Sequence, residues 1–268
     1  MTVDSIRKSA IAGSWYPGSP KALHAQITDF FQHVPEKPLD GKIIGLVVPH
    51  AGYVYSGQVA AHAYKLIKGQ VYDSAIVIGP SHRIPFRGVS VYDRGGYETP
   101  LGLVSVDSQL AGKIMLQSQV VSAVPHVHRE EHAIEIQLPF LQEALGKISF
   151  VPLMMGSQDR NTCKALAEAI FAAVGDGKVL LVGSSDLSHF HSYERAVKMD
   201  SIVLSHLENM DVDGLLGDLE NHVVEACGGG PAAVVMMAAK KLGAKRAKLL
   251  KYANSGDVTG DKSSVVGY

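Results

Sequence analysis

Four polar clusters interrupt the apolar runs of this chain, and their residue types suit metal chemistry. Pro49-His50-Ala51-Gly52-Tyr53 follows residues 43–48, Gly79-Pro80-Ser81-His82 follows residues 75–78, and Ser184-Ser185-Asp186-Leu187-Ser188-His189 follows residues 179–182. The fourth, Ala226-Cys227-Gly228-Gly229-Gly230-Pro231, is a glycine loop that feeds a helix. Ligands of open α/β sheets bind outside the carboxyl ends of the strands, where these clusters should gather. Imidazole nitrogen and cysteine sulfur suit iron, copper and zinc, whereas magnesium and calcium want oxygen. A thiol at a helix N-terminus is expected to ionise more easily, which would favour the Cys227 thiolate. The alternative for each imidazole is a structural histidine, and for Cys227 a small core residue. Cys163, in an alanine-rich helical stretch, is read as core.

A second group, His126, His128, Glu131, His132 and Glu135, lies on or just before a stretch of helical period. At that spacing His128, His132 and Glu135 share one face and would point into one pocket. His132 and Glu135 are therefore candidate substrate-binding residues; a solvated helix face is the alternative. The order is not HExxH, which excludes the metalloprotease motif. The glycine triplet could cradle a phosphate at a helix N-terminus, but the chain has neither a P-loop nor a GxGxxG pattern. Gly183-Ser184-Ser185 lacks the G-x-S-x-G spacing of a nucleophile elbow.

The elements that must position these groups alternate. Strands are expected at residues 43–48, 75–78, 88–91, 148–154 and 179–182, with closing strands at 248–252 and 264–267. Helices are expected at 56–67, 107–117 with Asp107 or Ser108 as N-cap, 130–145 kinked or divided at Pro139, 161–174, 193–207 and 231–242. Near-continuous apolar strands between helices imply a mostly parallel central sheet with helices on both faces. No linker, charge block or repeat divides the chain, so one α/β domain spanning 1–268 is expected.

Composition narrows the function classes. The chain has 268 residues, 46% hydrophobic and 19% charged, with 25 basic against 26 acidic residues. That balance argues against a dedicated nucleic-acid binder. Two cysteines cannot form a disulfide framework, so a reducing, cytoplasmic setting is expected. The N-terminal residues hold no signal-peptide core. The longest apolar run, residues 232–239, falls far short of the ~18–20 residues that span a bilayer, so no membrane partner is expected.

Taken in order, the motifs resemble those of one family. Residues 12–18 (AGSWYPG), Pro49-His50-Ala51-Gly52-Tyr53, Gly79-Pro80-Ser81-His82, Glu131-His132 with Glu135 and Leu138-Pro139-Phe140, Ser184-Ser185-Asp186 with His189, and residues 254–260 (NSGDVTG) resemble the Memo family. In bacteria and archaea this family is also called AmmeMemoRadiSam system protein B. The match runs from near residue 12 to Tyr268. The resemblance implies a fold similar to class III extradiol dioxygenases, non-haem iron enzymes that open catechol rings with O₂. By position, His50 and His82 would be metal ligands and His189 the acid/base histidine. Cys227 falls where the dioxygenases supply a metal-binding carboxylate. A thiolate is softer and shifts preference from Fe(II) toward Cu(I) or zinc; Glu225 would restore the carboxylate if the loop turned it inward. Iron or copper is the implied cofactor, with zinc as a third option. Animal members of the family are associated with receptor tyrosine kinase signalling, phosphotyrosine-peptide binding and copper or iron chemistry. Prokaryotic relatives are linked by name to an AMMECR-domain protein and a radical-SAM protein, which are the implied protein partners.

Three readings follow. In the first, a redox metalloprotein, His50, His82 and Cys227 hold iron or copper and His189 shuttles protons. Asp186 orients His189 or bonds a ligand imidazole, and Tyr53 hydrogen-bonds a small-molecule substrate at the mouth, with Trp15 and Tyr16 as an aromatic wall. In the second, a degenerate dioxygenase scaffold binds a peptide or protein in its cleft. In the third, a metal-free hydrolase or transferase uses Cys227 as nucleophile, His189 as base and Asp186 as orienter.

Overall fold

The apolar runs become strands of a six-stranded sheet in a computed structural model, which describes residues 5–36 and 39–268. In chain order the elements are β1 (Ile6–Arg7), α1 (Pro20–Gln32), β2 (Gly45–Val48), α2 (Tyr53–Leu66), β3 (Ser74–Pro80), β4 (Val89–Val91), β5 (Gly96–Thr99) and β6 (Gly102–Ser105). Then come α3 (Ser108–Gln117), β7 (Val121–Ala123), α4 (Leu138–Leu145), β8 (Phe150–Met155), α5 (Arg160–Val174), β9 (Val179–Ser184) and β10 (His189–His191). The chain closes through α6 (Tyr193–Glu208), α7 (Val212–Glu220), α8 (Gly229–Lys241), α9 (Ser255–Thr259) and β11 (Val265–Val266). The sheet order is β2-β9-β3-β8-β4-β7. β2, β9, β3 and β8 are parallel; β4 and β7 run against them. β1, β5 and β6 form a small second sheet, and β10 pairs antiparallel with β11.

Side chains alternate across a strand, so an apolar run without polar gaps needs cover on both faces. Ala75, Val77, Leu180 and Val182 pack with α1, α2 and α4. Their neighbours Ile76, Ile78, Val179 and Leu181 pack on the opposite face with α3, α5, α7 and α8. The architecture is thus mixed α/β, with a large central sheet between helices. No helix among the described residues is long and apolar enough to cross a membrane.

Several boundaries differ from expectation. Residues 130–145 do not form one helix: a 3₁₀ turn at Glu135–Gln137 leads into α4, and Pro139 sits in the first turn of α4, where its missing N–H costs nothing. Residues 248–252 form no strand, and the closing strand shrinks to Val265–Val266. Asp107 caps α3 as expected, accepting from the Leu110 N–H.

The N-terminal segment is anchored by a buried ion pair. Arg7 Nη1 lies 2.6 Å from Glu135 Oε2, and its other nitrogens donate to the carbonyls of His128 and Glu131. Removing one partner of a buried pair strands the other charge, so Arg7→Ala should cost about 3–5 kcal/mol in urea unfolding.

At the α6–α7 junction both nitrogens of His206 meet carboxylates, Asp211 and Asp218, each at 2.9 Å. Burial opposes the charged ring, but the two hydrogen-bonded carboxylates outweigh it and raise its pKa. The stabilisation is present below the unfolded value, near 6.5, and is lost as pH rises through the higher folded value. His206→Gln should therefore lower the melting temperature at pH 6 more than at pH 9.

Candidate metal centre

The carboxyl ends of β2, β3 and β9 bring three of the sequence clusters together. His50 follows β2 and His82 follows β3. His132 comes from the irregular stretch before the Glu135–Gln137 turn. One ring nitrogen from each of His50, His82 and His132 lies within 4.8 Å of the others, a group that could hold a metal ion. His50 and His132 are buried, while His82 opens to solvent. His82 and His132 stack at 4.7 Å, and the Trp15 ring covers His132 at 4.3 Å.

Hydrogen-bond partners fix which nitrogen of His50 and of His82 carries the lone pair. Ser184 Oγ gives its proton to the Ala133 carbonyl and accepts from the Gln137 amide. Its contact with His50 Nδ1, at 3.1 Å, therefore has His50 as donor, which leaves His50 Nε2 as a lone-pair nitrogen. Gln137 is itself oriented by Tyr64, whose hydroxyl donates to its Oε1. His82 Nδ1 donates to Glu131 Oε1 at 2.9 Å, so its Nε2 is bare too. Such carboxylate–histidine pairs set ligand tautomers in metal sites. Glu131 also accepts from the backbone N–H groups of His82, His132 and Ala133. Burial alone would raise its pKa, but the hydrogen bonds from His82 and the nearby His132 hold it below the usual carboxylate range. Burial, then repulsion from His82, depresses His50 to about 3, and burial with His50 nearby lowers His132. Both rings are neutral at physiological pH, the state that binds metal.

Cys227 faces the same group. Its Sγ lies 2.9 Å from His50 Nε2 and accepts from the Asp186 N–H at 3.3 Å. The expectation of an easily ionised thiol is corrected: burial, and next the Asp186 charge, push its pKa well up. The glycine triplet serves packing instead of phosphate binding. A Cβ on Gly228 would sit 2.1 Å from the Ser184 carbonyl. The Gly228 and Gly230 N–H groups are taken by Ser185 Oγ and Gln158 Oε1.

Other sequence candidates fall elsewhere. Tyr53 does not line the mouth; its ring packs against Phe140 in the core and its hydroxyl donates to the Ile136 carbonyl. Glu135 is held by Arg7, Ser9, Tyr16 and the Ala10 N–H, so Tyr16 is spent there and not on an aromatic wall. His128, fully buried, bonds Tyr97 and Ser90. The expected shared face of His128, His132 and Glu135 is absent because residues 129–134 are not helical. Glu225 turns outward to His191 and does not supply the carboxylate. His189 Nδ1 donates to the Leu187 carbonyl, while Asp186 Oδ1 accepts from the His50 and Ala51 N–H groups. Cys227 meets His50, and Asp186 does not orient His189, so the Cys227–His189–Asp186 relay is not assembled. Phe190, beside His189, is 76% exposed with φ +61.

Glu131, Gln137 and Ser184 were not singled out by sequence as positioning groups. The adjacency of Glu131 to His132 is a signal for the first; nothing local marks the other two.

A mostly parallel α/β sheet with histidines clustered beyond its strand ends defines an α/β protein with a candidate metal site. A family profile described as "Memo-like protein" matches residues 7–268, and the chain belongs to the Memo family. A MEMO1 family protein of Sulfolobus acidocaldarius is 39% identical, the match covering 98% of this chain and 97% of the relative. One from Methanobrevibacter smithii is 40% identical, covering 98% of each chain. One from Thermoplasma volcanium is 38% identical over 98% of this chain and 96% of the relative.

Glu131→Gln keeps the shape but removes the charge that orients His82. Loss of such a partner weakens metal affinity by about 10–100-fold. Titration of Zn(II) against a chromophoric chelator should show that drop with an unchanged far-UV spectrum.

Proposed function

We propose that this Memo-family chain is a metal-dependent redox protein that holds iron or copper through His50, His82 and Cys227. The observation that carries the reading is the convergence of three imidazoles within 4.8 Å, two of them with lone-pair nitrogens fixed by their partners. The residues fit a metal on their own terms. His132 Nδ1 is buried 3.3 Å from Glu131 Oε1 without forming a hydrogen bond to it, so no strong partner holds that ring away from an ion. Histidine with cysteine sulfur is a donor set for iron, copper or zinc. When bound, the ion supplies one-electron redox or Lewis-acid activation of a small molecule.

The protein's own groups have distinct tasks. His50 and His82 present lone pairs from rigid strand ends. Cys227 must give up its proton to a base to serve as thiolate. His189, with Nδ1–H committed to Leu187, keeps Nε2 free to accept a proton from substrate. Trp15 covers His132 and limits water, and the exposed edge at His82 admits the substrate. Likeness to class III extradiol dioxygenases, a single domain over 1–268 and a cytoplasmic setting belong to the same proposal.

Metal analysis of untagged protein purified anaerobically tests it. Near-stoichiometric iron or copper is expected in the wild type, with loss in Cys227→Ala and His82→Ala. Wild-type protein that carries no metal and fails to take up Fe(II), Cu(I) or Zn(II) would overturn the reading.

A further inference from the structure

β2 is an edge strand with one side unpaired. It bonds β9 through the carbonyls of Ile44 and Val48, which accept from Leu181 and Ser185. By the alternation of a parallel ladder, the N–H and C=O of Gly45 and Val47 point away from β9. Among the described residues, no backbone hydrogen bond meets them there. A cleft of about 840 Å³ lies along this edge, walled on its far side by residues 243–251. That wall stands off: Leu249 N–H bonds Glu208 and Arg246 bonds the Asp40 carbonyl, and neither reaches β2.

The cleft has a charge as well as a shape. Lys42, Lys245, Arg246, Lys248 and Lys251 line it, against Asp40 and Glu208 among the acids. Arg246 and Lys248 are exposed, and no acidic residue interrupts residues 240–251. This basic excess is local, since the whole chain carries a net charge of −1. The floor is apolar, with Val59, Val235 and Met236 contributing.

We infer that this cleft is a docking site for an acidic peptide segment, which adds to β2 as an extended strand. An exposed edge supplies alternating donors and acceptors, and an added strand returns both, with alternate side chains reading the flanking pockets. A nucleic-acid backbone offers phosphate acceptors but no matching ladder of donors. Alternate apolar residues of the peptide would meet the floor and alternate carboxylates the basic rim. The same lysines would discourage two copies of β2 from pairing edge to edge. The inference does not depend on the metal centre, which uses different side chains.

Fluorescence anisotropy with a labelled six-residue peptide alternating valine and glutamate tests it, with a valine–lysine peptide as control. The glutamate peptide should bind at least about tenfold more tightly than the lysine peptide. Lys248→Glu/Lys251→Glu should erase that preference, and a glutamate peptide N-methylated at alternate residues should lose binding. Hydrogen exchange at Gly45 and Val47 should slow when peptide is added. His82→Ala should bind peptide as the wild type does, which separates this site from the metal centre. Equal binding of both peptides, or none, would overturn the inference. So would Gly45 and Val47 amides already protected in the free protein, because the 248–252 segment would then fill the edge itself. Tighter binding of a single-stranded oligonucleotide that displaces the peptide would overturn it too, as would loss of peptide binding in His82→Ala.

Discussion

One buried carboxylate organises the histidine cluster. Glu131 accepts from His82 twice, through backbone and ring, and from the backbone of His132 and Ala133. His82 reaches Glu131 from 49 residues away in the chain. Satisfying these donors in place forces residues 129–134 out of helical geometry, because a helix would turn Glu131 away from its own following N–H groups. It also delays α4 to Leu138 and leaves Glu135 on the other side, where Arg7 and the N-terminal segment close around it. A buried carboxylate that accepts four hydrogen bonds is rigid, and the ring of His82 inherits that rigidity.

The two acidic groups nearest the centre are pushed in opposite directions by the same physics. Glu131 is held low by hydrogen bonds from His82 and by nearby imidazoles. Asp186 is raised chiefly by burial, since its backbone donors do not offset full desolvation. Near neutrality, burial and hydrogen bonding thus leave one carboxylate firmly ionised and the other closer to protonation. The Cys227 thiol sits against the second, which adds to its reluctance to ionise.

Much of the framework was legible in the sequence, for a physical reason. Runs such as residues 43–48 and 179–182 carry no polar gap, so both faces had to be covered, and they are. The gathering of His50 and His82 was legible because each lies just beyond such a run, at the carboxyl end of its strand. What local sequence cannot carry is long-range contact. Glu135 and His128 read as partners of His132 by spacing, but Arg7 claims the first and Tyr97 the second, from more than thirty residues away. Tyr53 stands three residues from His50, yet the first turn of α2 aims it into the core. Gln137 and Ser184 set the tautomer of His50 from positions 47 residues apart, with no motif joining them. The 248–252 run has strand composition without strand pairing, since nothing in composition says which edge a run will reach.

The sheet order also bears on how the chain is made. The partner of β2 is β9, whose last residue, Ser184, comes 134 residues after His50. At ribosomal rates of ~5–20 residues/s, that interval is roughly 7–27 seconds. During it the apolar stretch 43–48 has emerged without its one sheet neighbour, and β3 cannot substitute because β9 must be inserted between them. The strand that leads into His50 is therefore the one most in need of shielding while the polypeptide is still growing.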